Sequence, residues 1–357
     1  MPLILNIRRL GRLACGLICG LMLAQAAGGA TPAQREISVL TWPDYLDPEL
    51  IAAFEAKTGY TLNLTYFESD ETRDDFLIRN NGAGYDLILI NDYTLQLYVE
   101  RGWIDALNQT QVSSLRYIDP KWLAASKGQP QYGMPYFWGT LGIAYRDDLV
   151  SMPISRWMDI YDPAEELRGH LIMIKHSRDL IGMALLALGY SLNSTDSQQL
   201  EEARALMLKQ KPSVSAYSYV SLGEDSALLD GSVVAAQVYS GDALMLQKLN
   251  PHIKYVAPEE GTNVWLDQWA VATQAKNKNG AYAFLNFINE PENAANNAEF
   301  VHYASPNLAA NKLLPPSHFE DPVINPSQEV LQRGGSYKVL PPRVMRKWNA
   351  IFAEVIH

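Results

Sequence analysis

Acidic and aromatic side chains recur together along this chain, in Trp42-Pro43-Asp44-Tyr45, Tyr66-Phe67-Glu68-Ser69-Asp70, Asn91-Asp92-Tyr93, Tyr239-Ser240-Gly241-Asp242 and Val264-Trp265-Leu266-Asp267. Such a set suits an organic cation. An ammonium leaving water needs acceptors and negative charge, which carboxylates supply. A methylene stem needs flat apolar walls, and aromatic rings provide them while attracting cations with their faces. Asp267 is the sharpest case, because Val264, Trp265, Leu266 and Trp269 make its surroundings strongly apolar. An unpaired acid there is costly, so either a buried arginine, with Arg146 and Arg178 as candidates, or a ligand cation must answer it. Asp44 has a second reading as no more than a turn cap.

Covalent chemistry finds little support. Gly335-Ser336 lacks the closing glycine of a nucleophile elbow, and Gly82-Ala83-Gly84 precedes a strand and lacks a third glycine. His170, His176, His252, His302, His318 and His357 are dispersed, with no metal-ligand spacing among them. The expectation is a binding protein, not an enzyme, with no metal and no cofactor.

The elements that must position these residues alternate. Ile37 to Trp42 reads as a strand, Pro48 to Lys57 as a helix ended by Gly59, Thr61 to Phe67 as a strand, and Glu71 to Arg79 as a charged helix. Tyr85 to Ile90 then reads as a strand and Leu95 to Arg101 as a helix. That is βαβαβα, an open parallel sheet, in which ligands sit beyond the carboxyl ends of the strands. A second α/β pattern follows Pro135-Tyr136-Phe137-Trp138-Gly139. Its parts are a strand Leu171 to Ile174, helices Leu180 to Leu188 and Leu200 to Lys209, strands Val233 to Val238 and Val264 to Val271, and a helix Gly280 to Asn289. With no Gly/Ser-rich linker between them, the two patterns predict lobes joined by strands that cross over and back.

The first thirty residues read as an export signal, with Arg8, Arg9 and Arg12, an apolar run from Leu13 to Ala24, and cleavage near Ala26 to Ala30. Cys15 and Cys19 both lie inside it, and neither follows a lipid-attachment pattern, so the mature chain is expected to be free in solution and without thiols. Without the leader, 26 basic and 39 acidic residues leave a net charge of −13, which makes nucleic acid an unsuitable partner and favours the approach of cations.

Taken in order, the segments LTWPDYLDPELIAAFEAKTG, YFESDET, YDLILIND, MPYFWGT, LGYSLNSTD, the W-x-D of Trp265 and Asp267, AKNKNGAYAFLNF and YASPNLAANK resemble the bacterial periplasmic polyamine-binding proteins of ABC importers, the spermidine- and putrescine-binding type. The resemblance covers essentially the whole mature chain. It implies a two-lobed α/β periplasmic binding protein of type II, with open parallel-type sheets joined by crossover hinge strands. The expected division is residues 1–30 as signal peptide, 31–140 plus 267–310 as one lobe, and 141–266 plus 311–357 as the other. Hinges are expected near Gly139 to Gly142, Trp265 and Ala309.

The resemblance also implies an aromatic box of Trp42, Tyr45, Tyr93, Trp265 and Tyr303, with Tyr239 replacing a usual tryptophan. Asp44 and Asp242 match putrescine-type members, Asp179 stands where a glutamate is usual, and Asp267 matches the acid common to both types. Two positions depart. His176 aligns with an aspartate of spermidine-type members, and Lys338 aligns loosely with a glutamine, where a solvated lysine outside the cleft is the favoured reading. A histidine titrates near neutral pH, so His176 can accept a hydrogen bond or make binding pH-dependent. The implied partners are an amine ligand and a membrane ABC permease. The alternative is a periplasmic sensor that signals to a membrane-bound cyclic-di-GMP enzyme. A monomer in the periplasm is expected.

Overall fold

The computed structural model describes residues 35–123 and 131–357. The expected leader, with its cleavage site and both cysteines, lies outside the described residues. No helix among the described residues is long and apolar enough to cross a membrane.

In chain order the strands and longer helices are β1 (Glu36–Thr41), α1 (Pro48–Thr58), β2 (Thr61–Tyr66), α2 (Asp70–Arg79), β3 (Leu87–Asn91), α3 (Asp92–Glu100), β4 (Gly133–Arg146), β5 (Leu171–Met173), α4 (Ser177–Ala187), α5 (Ser197–Gln210), β6 (Val214–Tyr217), β7 (Ala235–Tyr239), α6 (Ser240–Leu249), β8 (Ile253–Val256), β9 (Val264–Val271), α7 (Lys278–Ile288), α8 (Pro291–Val301) and α9 (Pro342–Ile356). One sheet runs β2-β1-β3-β9-β4-β7-β5-β6, with β8 added to β4. It is parallel towards both ends, where β1 pairs with β2 and β3, and β5 with β6 and β7. In the middle, β9 lies antiparallel to β3 and β4, and β4 antiparallel to β7 and β8.

The long strand β4 makes the crossing. Its first half, through Thr140, pairs with β9, and from Leu141 onward it pairs with β7 and β8. Gly139 sits at the changeover, where an added Cβ would lie 2.7 Å from the Trp265 ring and 2.8 Å from the Ser240 hydroxyl. Only glycine lets strand and ring approach so closely. Two large cores flank the crossing. One gathers residues between Ile37 and Phe137 with others between Trp265 and Leu314, and the second gathers residues between Leu141 and Ala235 with Tyr337, Leu340, Trp348, Ile351 and Val355.

Helix boundaries move toward the strand ends because those ends carry caps. Asp47 accepts from the Glu49 amide ahead of α1, Ser69 from Thr72 ahead of α2, and Asn91 from Thr94 ahead of α3. The third helix therefore starts at Asp92, three residues before the position that apolar periodicity predicts. The C-terminal helix α9 and the full length of β4 were not anticipated.

Candidate ligand-binding cleft

A cleft of about 1100 Å³ opens at the carboxyl ends of the strands. From one side, the loops after β1, β2 and β3 supply Trp42, Asp44, Tyr45, Asp70, Asp92 and Tyr93 to its wall. The loops after β5, β6 and β7 face them with His176, Asp179, Tyr219, Tyr239 and Asp242, and β9 with its following segments adds Trp265, Asp267 and Tyr303. All eleven residues singled out in the sequence thus line one space. Lys338 does not: it is exposed, and its neighbour Tyr337 is the buried side chain that reaches the cleft.

The walls are aromatic. Tyr45, Tyr303, Trp265 and Tyr239 form a chain of edge-to-face contacts with ring centroids 5.9, 4.9 and 5.9 Å apart. Trp42 rests on Phe67 at 4.4 Å and approaches Tyr219 of the opposite bank at 6.4 Å. Gly241 makes the packing possible, since a Cβ there would lie 2.5 Å from the Tyr303 ring.

Four of the acids are held by tyrosine hydroxyls. The hydroxyl of Tyr45 donates to Asp267 at 3.1 Å, that of Tyr303 to Asp242 at 2.8 Å, that of Tyr93 to Asp70 at 2.6 Å, and those of Tyr239 and Tyr337 to Asp179, each at 2.7 Å. Most of the cleft carboxylates sit in the first turn of a helix: Asp70 opens α2, Asp92 opens α3, and Asp179 and Asp242 hold the third positions of α4 and α6. A helix N-terminus favours negative charge. Asp267 has no such support, because it lies in mid-strand on β9, opposite Asn91 and Phe137.

The electrostatics follow from this placement. Burial, reinforced by the field of Asp70, pushes the Asp267 carboxyl up to about 8 despite the bond from Tyr45. Burial raises Asp242 to about 6 against the hydrogen bond from Tyr303, and raises Asp92 to about 7. Asp70 behaves differently. Burial would raise it, but the guanidinium of Arg73, the imidazole of His176 and the bonds from Tyr93 and Asn91 hold it below the ordinary carboxylate value.

The expected internal partners of Asp267 are engaged elsewhere. Arg146 pairs with Asp148 at 2.7 Å, and Arg178 stacks on Tyr337 and Trp348 and donates to Asn193. Among the described residues, Asp267 has no basic partner within ion-pairing distance. Asp47, not Asp44, caps α1, and Asp44 stands exposed at the cleft in a left-handed turn at φ 53°. Asp70, Asp92, Tyr219 and Tyr337 belong to the cleft but were not chosen from sequence. Asp70 and Asp92 were visible as strand-end acids, whereas Tyr219 and Tyr337 carry no local signal.

A separate surface group, Asp147, Asp148 and His252, has spacing that could hold a metal, but its acids are already paired with Arg146 and Lys254. It takes no part in the cleft.

The model of the bacterial extracellular solute-binding protein family matches residues 49–324. A spermidine/putrescine-binding periplasmic protein of Escherichia coli K12 is 31% identical over 295 residues, covering 82% of this chain and 84% of its own. A norspermidine sensor of Vibrio cholerae is 31% identical over 301 residues, covering 84% and 82%. Among solved structures, a spermidine/putrescine ABC transporter substrate-binding protein from Streptococcus pneumoniae superposes with a TM-score of 0.76 at 31% identity, covering 90% of this chain and 98% of that one.

Proposed function

We propose, from the premise that the chain belongs to the bacterial extracellular solute-binding protein family, that it captures a small aliphatic di- or polyamine in this cleft and hands it to a membrane ABC permease. The fold is that of a type II periplasmic binding protein, and the protein works in the periplasm. The single observation that carries the ligand assignment is Asp267, a carboxylate 8% exposed, among aromatic rings and without a basic partner among the described residues. An ammonium entering there gains the carboxylate and the ring faces at once.

The lobes are residues 31–140 with 267–310 and 141–266 with 311–357. The two core clusters support that division, apart from Trp265 and Leu314, which pack in the first. A ligand touching both banks stabilises the closed arrangement by its differential affinity, and closure then shows the permease a surface it can read. A monomer is the proposed acting unit, supported by one chain supplying both banks of the cleft. It performs no covalent step, and requires no cofactor.

The Vibrio cholerae relative, a norspermidine sensor, supports a second reading, in which the same capture is reported instead of delivered, with a membrane-bound cyclic-di-GMP enzyme as the proposed receiver. Amine uptake in a strain lacking the protein separates the two. Loss of uptake supports delivery, and intact uptake with altered cyclic-di-GMP supports reporting. The ligand class itself is tested by thermal shift against putrescine, cadaverine, spermidine, norspermidine and agmatine. A shift with at least one of them is expected, and none with all five would remove the assignment.

A further inference from the structure

His176 stands between two carboxylates that belong to opposite banks of the cleft. Its Nδ1 lies 2.8 Å from Asp179 Oδ2, and its Nε2 lies 3.6 Å from Asp70 Oδ2 and 3.4 Å from the Tyr93 hydroxyl. The side chain is 4% exposed. Nδ1 faces Asp179, and Nε2 faces Asp70 and a Tyr93 hydroxyl whose proton goes to Asp70, so both ring nitrogens meet acceptors and the doubly protonated ring is favoured.

The two acids it joins have little capacity left for another cation. An ionised carboxylate offers about four acceptor sites. Asp70 accepts from Arg73, Asn91 and Tyr93 and faces the His176 ring at ion-pair distance, and Asp179 accepts from His176, Tyr239 and Tyr337. Asp267 and Asp242 differ: the described residues give each one hydrogen bond, from Tyr45 and Tyr303, and no cation. One pole of the cleft is therefore charge-balanced by the protein itself, and the other is open.

We infer that the imidazolium of His176 occupies a cation position within the cleft, so that the site selects a short diamine, one charged nitrogen for Asp267 and one for Asp242, over a triamine. The inference rests on the amine-binding reading and narrows it. A third ammonium would have to displace a buried ring that already bridges both banks, or meet it as a like charge. Arg73, Lys175 and Arg178 are the other cations near this pole, with Glu71 and Asp92 the other acids; Arg73 and Asp92 also act on Asp267, in opposite directions, but none of these groups bonds to the Asp267 or Asp242 carboxyl.

The test compares dissociation constants for putrescine and spermidine at pH 7.5 in the wild-type protein, His176→Asn and His176→Asp, each checked for its fold by circular dichroism. The wild type should prefer putrescine by about tenfold or more, and both variants should move the putrescine-to-spermidine ratio toward spermidine by about tenfold. Equal wild-type affinities for the two amines, or a ratio unmoved in the folded variants, would overturn the inference while leaving amine capture intact. Absence of binding by every amine would instead remove the underlying reading. If both variants fail to fold, imidazole ¹⁵N shifts of the wild-type putrescine complex decide: a doubly protonated His176 supports the inference, and a neutral one ends it.

Discussion

The Tyr45 hydroxyl donates to Asp267 Oδ2 at 3.1 Å, joining the loop after β1 to the middle of β9 across 222 residues of sequence. The bond orients the carboxylate without neutralising it. Burial leaves Asp267 up at about 8, so near neutral pH the acid is poised between protonated and charged until a cation arrives.

Replacing Asp267 with Asn should abolish measurable amine binding, a loss of about 2–5 kcal/mol for one partner of a buried charge pair. The Asn side chain still accepts from Tyr45, and a carboxyl that resists ionisation is removed. The ligand-free variant should therefore melt at or above the wild-type temperature at pH 8. A variant that binds amines as before would make Asp267 a structural acid.

Affinity should depend on pH in a definite direction. The raised values of Asp267, about 8, and Asp242, about 6, mean that an incoming ammonium must drive off protons held by these acids. Binding should tighten from pH 6 to pH 8.5, with proton release visible as buffer-dependent heat in calorimetry. A flat profile would contradict the placement of the cation beside these acids.

The ligand-free protein should move the other way. Asp267 protonates more readily folded than unfolded, so its contribution is lost as pH rises from about 4 toward 8. For His176, burial lowers the imidazole value, but Asp179, Glu71 and Asp70 outweigh it and carry it up to about 9. Its contribution is full below about 6.5 and is lost as pH rises through 9. Melting temperature without ligand should fall between pH 6 and pH 9, and the shift produced by amine should grow over the same range.

Gly241→Ala should weaken binding without touching a polar group. The added methyl meets the Tyr303 ring at 2.5 Å, and moving that ring breaks its bond to Asp242 and opens the box at Trp265. A milder loss, about 0.5–2 kcal/mol, is expected for Trp42→Leu, which removes one aromatic face. Affinities of the two variants, measured together, check whether the walls contribute beyond the acids.

The alternation of strands and helices and the acidic, aromatic strand ends were legible because they are local: period-2 and period-3.6 patterns and caps lie within a few residues of one another. Asp267 was legible for a similar reason, as an acid inside an apolar run. What escaped is relational. Tyr337 reaches Asp179 over 158 residues, and Lys338 drew notice in its place because one residue of slip exchanges a buried side chain for an exposed one. The fate of Arg146 and Arg178 was equally invisible, since each finds its partners in elements distant along the chain, apart from the nearby Asp148. The bridging position of His176 requires both banks to be in place.

The most direct measurement is a crystal structure of the protein with saturating putrescine at pH 8. One ammonium nitrogen should lie within hydrogen-bonding distance of Asp267 and the other near Asp242, with the chain between the rings of Trp265 and Tyr303 and His176 still between Asp70 and Asp179. A cleft without amine, or an amine bound away from Asp267, would contradict the account.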